Sequence, residues 1–220
     1  MSNTSVANTQ FRDRAWIALG VGLVYFSAFG PSDRVLAMAQ AIAGPHPYEG
    51  LWILIPHLLF YTTFTAALAG LCWAGLARKG VMDGPPLAIS KPVLVWALLG
   101  GAASVLASLA FLSASDMGQL TWVGFDGWKI AGNAFSNFYE ELIYRGFLLA
   151  GLTALVGFWP AAVLTSIAFG LSHDQYPLAL QGLIMGVSVM WCWLVRHTRS
   201  LWAAWGAHMV LDVVIDAIWG

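Results

Sequence analysis

Residues 91–113 have the sequence KPVLVWALLGGAASVLASLAFLS. No charged side chain follows Lys91 in this stretch. About 20 consecutive apolar residues are enough for a helix to cross the hydrocarbon core of a bilayer. The stretch therefore predicts a helix that is surrounded by lipid or by other apolar helices.

The whole chain is apolar and poor in charged residues, like this stretch. Of its 220 residues 59% are hydrophobic and 10% are charged, it contains 12 Trp and 12 Phe, and its mean hydropathy is +0.72. A soluble domain carries roughly 25% charged residues and must cover its outside with polar groups. This composition excludes an ordinary cytosolic enzyme and a disordered chain. The net charge of −1 lacks the basic bias of a nucleic-acid binder.

We predict an all-α fold, a polytopic membrane bundle of about seven transmembrane helices in a single domain, residues 1–220. A polar N-terminal tail, residues 1–13, precedes the first helix. The predicted spans are 15–29, 51–77, 91–113, 128–156, 160–173, 177–195 and 201–219, with a short interfacial helix at 34–43 and a basic loop at 196–199. A signal peptide is the alternative for the first span, but no small-residue cleavage site follows it.

Lysine and arginine predict the orientation, because they are enriched in cytoplasmic loops. With the N-terminus in the cytoplasm, seven of them are cytoplasmic, two lie in outer loops and Arg145 lies within a span. The cytoplasmic set is Arg12, Arg14, Arg78, Lys79, Lys91, Arg196 and Arg199, and the outer set is Arg34 and Lys129. We expect a multi-pass protein of the cell membrane, the inner membrane of a bacterium.

Several ionisable residues fall inside predicted spans, where each costs at least about 2.5–3.5 kcal/mol and indicates a functional site. They are Glu140, Glu141, Arg145, His208, Asp212 and, near the end of a span, His173. We expect His57, which stands alone beside Pro56, to make only a local hydrogen bond.

Helical spacing groups these residues into faces. One stripe on the fourth span consists of Asn133, Ser136, Asn137, Glu140 and Tyr144. Glu141 and Arg145 are four residues apart and are predicted to pair, which leaves Glu140 without a partner on its own helix. Phe169 shares a face with His173, as does His208 with Asp212. Since polar faces avoid lipid, the three helices should meet in the interior of the bundle.

Two kinds of chemistry fit such a cluster. A carboxylate beside a neutral imidazole can deprotonate water, and a second His can hydrogen-bond the developing oxyanion. No Ser or Cys stands at a recognisable spacing from a His, and we expect Cys72 and Cys192 to be unpaired thiols, so direct attack by water is favoured. Glu, His and His could instead bind zinc, but the H-E-x-x-H motif is absent, and we predict no metal and no cofactor.

Three motifs resemble those of one family. Glu140–Arg145 resembles EExxxR, Phe169–His173 resembles FxxxH, and His208–Asp212 resembles HxxxN, the motifs of the CAAX-protease and bacteriocin-processing (CPBP, or Abi) family of glutamic-type intramembrane proteases. The resemblance implies that Glu140 and His173 activate the water. It also implies that Glu141 and Arg145 form a supporting pair, and that His208 and Asp212 hold the carbonyl oxygen. The C-terminal four helices, residues 128–220, would be the catalytic core.

The third motif departs from the family, because it ends in Asp212 where Asn is common. An ionised carboxylate accepts hydrogen bonds but cannot donate one to an oxyanion. Either Asp212 is protonated, which burial favours, or it orients His208 from one turn away. We predict the second role, with His208 as the main oxyanion donor.

The predicted topology places the polar cluster between mid-membrane and the outer leaflet, so we expect a cavity that opens to the extracytoplasmic side. We expect an endopeptidase that processes the C-terminal tail or membrane anchor of a membrane-anchored or lipid-modified polypeptide. The family implies other substrates too, namely prenylated CAAX tails, which call for a cytoplasmic opening, or bacteriocin leader peptides. A non-catalytic immunity-type peptide binder is the alternative, and a small transporter is a less favoured one.

Overall fold

The computed structural model describes residues 3–29, 66–83, 86–115, 117 and 120–219. The helices in this part are α1 (Asn3–Phe29), α2 (Ala66–Arg78), α3 (Lys91–Ala114), α4 (Gly127–Glu141), the π-helix π1 (Leu142–Leu148), α5 (Leu149–Val156), α6 (Phe158–Leu171), α7 (Leu178–Thr198) and α8 (Leu201–Ile218). Because α4, π1 and α5 form one continuous helix, the described residues contain seven separate helices. They contain no strand, only two isolated bridges.

The structure confirms the all-helical bundle but not the number of membrane spans. Among the described residues, α3, α7 and α8 are long and apolar enough to cross a membrane. Leu98 on α3 and Leu178 on α7 are 62% and 73% exposed. Large apolar side chains on outer helix faces suit lipid as the surrounding solvent.

Most predicted bounds agree with the structure, and three differ. Residues 3–13 of the predicted tail are helical, since no Gly or Pro interrupts them. Helix α6 ends at Leu171, so His173 lies just beyond it. Helix α7 continues to Thr198, so the predicted basic loop is mostly helical. The interfacial helix at 34–43, residues 51–65 of the second span and His57 lie outside the described residues.

Local sequence explains where the site helices start. The Asp126 side chain accepts hydrogen bonds from the backbone N–H groups of Trp128 (2.8 Å) and Lys129 (3.4 Å) and so caps α4. A single residue, Gly157 with φ 86°, separates α5 from α6. Glycine adopts this left-handed conformation without a steric penalty, which lets the chain reverse in so short a connection.

Helix α8 lies at the centre, in contact with α3, α4 and α7. Its closest neighbour is α3, where Gly101 faces Val210. A Cβ atom at position 101 would lie 2.5 Å from the Val210 Cβ atom. The absence of side chains at Gly100 and Gly101 therefore allows this close approach, which fixes the helix that carries His208 and Asp212.

Candidate active site

Helices α4 and α8 are antiparallel and are joined by a ladder of polar contacts, here called the polar zipper. Its three rungs are Asn133–Asp216 (2.8 Å), Asn137–Asp212 (2.8 Å) and Glu141–His208 (2.9 Å). Each step of four residues along α4 is matched by a step of four residues back along α8. Regular helical spacing on both helices thus brings the first and third motifs together.

The innermost rung continues into a buried ion pair. Arg145 Nη1 lies 3.0 Å from Glu141 Oε1, and both residues are 1% exposed. The four-residue spacing of the motif predicts this pair. The Arg145 guanidinium also lies 3.9 Å from the ring centroid of Phe169 and 4.9 Å from that of Trp191. Cation–π contacts of this kind are strongest when desolvated, so the Phe of FxxxH helps to hold the Arg of EExxxR.

The EExxxR segment is not a regular α-helix. Its last four residues, including Tyr144 and Arg145, lie in π1. π-Helices are rare and occur frequently at functional sites. Gly146 in the same segment packs on α2, where an added Cβ would lie 2.8 Å from Trp73 Cζ3. The uniform α-helix predicted for residues 128–156 is therefore interrupted by a π-helical stretch.

His173 lies in the loop between α6 and α7. Its Nδ1 is 2.8 Å from the Phe169 carbonyl oxygen. Since a carbonyl only accepts, Nδ1 carries the proton, and in the neutral ring Nε2 is a free acceptor. Burial lowers the pKa of His173 from its ordinary value, which favours this neutral form. The loop thus presents an imidazole in the state that a general base requires.

The predicted residues meet at one cavity of about 320 Å³. Four of them line it, namely Glu140, His173, His208 and Asp212. Glu141 and Arg145 lie behind them in the core. Glu140 forms no hydrogen bond or ion pair with the residues that the structure describes, whereas the neighbouring Glu141 is paired twice. Consecutive glutamates therefore have different environments, as their positions on the helix predict.

The cavity also has apolar lining residues and an ion pair at its outer end. Apolar residues of α3 and α7 also line the cavity: Leu112, Leu180, Leu183, Ile184 and Val187. At the outer rung, Lys129 Nζ lies 2.8 Å from Asp216 Oδ1. The cavity therefore combines a polar wall that carries acids and imidazoles with an apolar wall.

Asn137 was predicted only as part of the polar stripe and Lys129 only as part of an outer loop, and Asp216 was not singled out. All three belong to the polar zipper or to its outer end. The pattern that could have found Asp216 is the repeat of four, since it follows Asp212 as Asp212 follows His208. Within the described residues, no group of three His, Cys, Asp or Glu side chains could hold a metal ion.

The segment that builds this site also matches a known family. Residues 127–214 match the family model of the Rce1-like type II CAAX prenyl endopeptidases. This confirms the resemblance drawn from the motifs, and all three motifs lie inside the Rce1-like segment. No curated protein and no solved structure matches the chain. The segment 127–214 is thus similar to these endopeptidases, and the apolar helices among the described residues suit a membrane protein.

Proposed function

We propose that the chain is an intramembrane endopeptidase that hydrolyses a peptide bond with water activated by Glu140 and His173. The observation that carries this proposal is that Glu140 and His173 line one cavity with His208, while Glu141 is held by Arg145 and His208. One glutamate is thus available for proton transfer and the other is structural.

The contacts suggest a sequence of proton transfers. Glu140 takes a proton from the bound water, which is oriented by the free Nε2 of His173, and the resulting hydroxide attacks the substrate carbonyl carbon. The ring nitrogens of His208 face Glu141 Oε1 at 2.9 Å and Asp212 Oδ2 at 3.5 Å. Because the Glu141 and Asp212 carboxylates flank the ring, they favour the charged imidazolium, in which both nitrogens carry protons. Nδ1–H then bonds to Glu141, and Nε2–H stabilises the developing oxyanion. Glu140 then returns its proton to the leaving amine as the C–N bond breaks.

The substrate that suits the cavity is a polypeptide held at the membrane by an anchor or an attached lipid. The apolar wall of α3 and α7 can contact an apolar segment while the polar wall acts on the peptide bond. The name of the matched family favours a C-terminal tail as the cleaved part. No nucleic acid is expected to bind a chain with a net charge of −1.

Cleavage is tested with the purified chain in liposomes and an internally quenched peptide that carries a farnesylated Cys three residues from its C-terminus. We expect release of the terminal tripeptide, identified by mass spectrometry, at a rate that 1,10-phenanthroline does not change. Loss of activity that zinc restores would contradict the metal-free mechanism. The same peptide without farnesyl shows whether the lipid is part of recognition.

We further propose that the cavity opens on the extracytoplasmic side, with the N-terminus in the cytoplasm. Lys129 and Trp219 at the cavity belong to the end of the bundle opposite Arg78, Arg196 and Arg199, where positive charge is concentrated. In a Cys72- and Cys192-free background, cysteine at exposed Val123 should react with a membrane-impermeant maleimide in intact cells. Cysteine at exposed Arg196 should not react, and the reverse pattern would overturn this orientation.

A further inference from the structure

We propose that Asn137 is a positioning residue of this site: its amide holds the Asp212 carboxylate away from His208, so that the Nε2–H group of His208 remains available to the substrate oxygen. This inference rests on the proposed protease function. Asn137 is outside the three motifs, and its place in the polar zipper is what reveals the role.

The amide of Asn137 is fully engaged. Asn137 is 2% exposed, and its Nδ2 donates to Asp212 Oδ2 at 2.8 Å and to Met209 Sδ at 3.5 Å. Its Oδ1 accepts from the Ser136 hydroxyl at 3.3 Å. With both N–H groups in use, Asn137 acts through Asp212 and not on the substrate itself.

The position of Asp212 reflects a competition between two donors for one oxygen. Asp212 Oδ2 lies 2.8 Å from the Asn137 amide but 3.5 Å from His208 Nε2. Hydrogen bonds from N–H to oxygen are usually 2.7–3.2 Å long. The carboxylate is therefore bonded to Asn137 and stays beyond ordinary hydrogen-bond distance from the imidazole.

This arrangement accounts for an Asp at the end of the third motif. A carboxylate within hydrogen-bond distance of Nε2 would normally accept a hydrogen bond from its N–H group. The oxyanion could then not bind that N–H group. Here the amide of Asn137 on α4 binds the Asp212 carboxylate, so an acid is tolerated at the position where HxxxN has an amide. The Asp212 carboxylate still stabilises the positive charge of His208 and leaves the Nε2–H group of His208 accessible.

Asn137→Leu removes the amide at similar volume and frees Asp212 to close on His208. We expect kcat on the farnesylated peptide to fall about 10- to 100-fold, below the effect of deleting an oxyanion donor outright, with KM nearly unchanged. The matched control is Asn133→Leu, which breaks the same kind of rung one step further out. We expect it to lower kcat less than Asn137→Leu does, because among the described residues its partner Asp216 does not contact His208.

The exchange Asn137→Asp/Asp212→Asn rebuilds the rung with the donor and acceptor reversed. Asn137→Asp alone places two carboxylates against each other and should lose at least as much activity as Asn137→Leu. The double variant should regain about tenfold or more over Asn137→Asp. Failure of this rescue would overturn the proposal. The comparison of Asn137→Asp with the double variant tests the positioning role even if Asn137→Leu does not fold.

A substrate-independent measurement separates this inference from the proposed function. In detergent micelles, the His208 Nε2–H proton resonance, assigned by its loss in His208→Gln, should move downfield in Asn137→Leu as Asp212 approaches. An unchanged resonance, or a kcat no lower than that of Asn133→Leu, would refute the positioning role while leaving hydrolysis by the wild type intact. If the wild type cleaves nothing, the protease proposal fails, and the resonance alone then decides whether Asn137 holds Asp212.

Discussion

Glu140→Gln should reduce peptide hydrolysis by about 10²–10⁴-fold, the usual contribution of a general base, without altering the fold. The amide has the size of the carboxyl group but cannot accept the proton of water. Glu140 faces the cavity and is bonded to no described residue, so its replacement breaks no contact there. The measurement is the cleavage rate of the farnesylated peptide, together with mass spectrometry of membrane-protein C-termini in cells that express the wild type or the variant.

The control for this prediction is the thermal unfolding midpoint, which should match that of the wild type. Hydrolysis at the wild-type rate would remove Glu140 from the mechanism. If neither protein cleaves but both bind a peptide equally, the immunity-type alternative is favoured. Ion or solute flux in proteoliposomes without hydrolysis would favour the transporter alternative.

Glu141→Gln should destabilise the protein by about 3–5 kcal/mol, the cost of leaving a buried charge without its partner. Arg145 is 1% exposed, and Glu141 is the carboxylate that it contacts among the described residues. The remaining guanidinium contacts are aromatic faces, which cannot neutralise the charge. The measurement is the free energy of unfolding in mixed micelles, followed by tryptophan fluorescence.

Two further variants test the cause of this loss. Glu141→Gln/Arg145→Met removes the unpaired charge and should be less destabilised than Glu141→Gln alone, since replacing both members of a buried pair is often tolerated. Lys129→Met breaks the half-exposed pair with Asp216 and should cost about 0–1 kcal/mol. A double variant less stable than Glu141→Gln would show that the charge itself is not the cause.

Sequence alone located the described helices and the predicted faces because both depend on local information. The uncharged run at 91–113 is bounded by Lys91 and by polar residues after Phe111, and α3 occupies Lys91–Ala114. The spacing of Glu141 and Arg145 predicts their ion pair. The assignment of Glu140 to the reaction stays a prediction, supported by its place in the cavity.

The contacts between helices could not be read from local patterns. That Glu141 meets His208, and Asn137 meets Asp212, depends on how far α4 and α8 slide past each other, which no local pattern specifies. Helical spacing predicts contact between Asp212 and His208 one turn away, but the shorter contact of Asp212 is with Asn137 on another helix. The π-helix was missed because propensity scales describe helical residues without distinguishing their hydrogen-bond register.

The wide turn at Leu142–Leu148 determines where this helix can lose a residue. A turn closed by i→i+5 bonds holds one residue more than a turn closed by i→i+4 bonds. Loss of one residue within Leu142–Leu148 would therefore let this segment relax to an ordinary α-helix while α5 keeps nearly the same face toward its neighbours. Loss of one residue from the α-helical part, α4, would instead rotate everything beyond it by about 100°. That rotation would move Gly146 away from Trp73 and the Arg145 guanidinium away from the ring of Phe169. A one-residue deletion should thus be tolerated better within the π-helix than in α4.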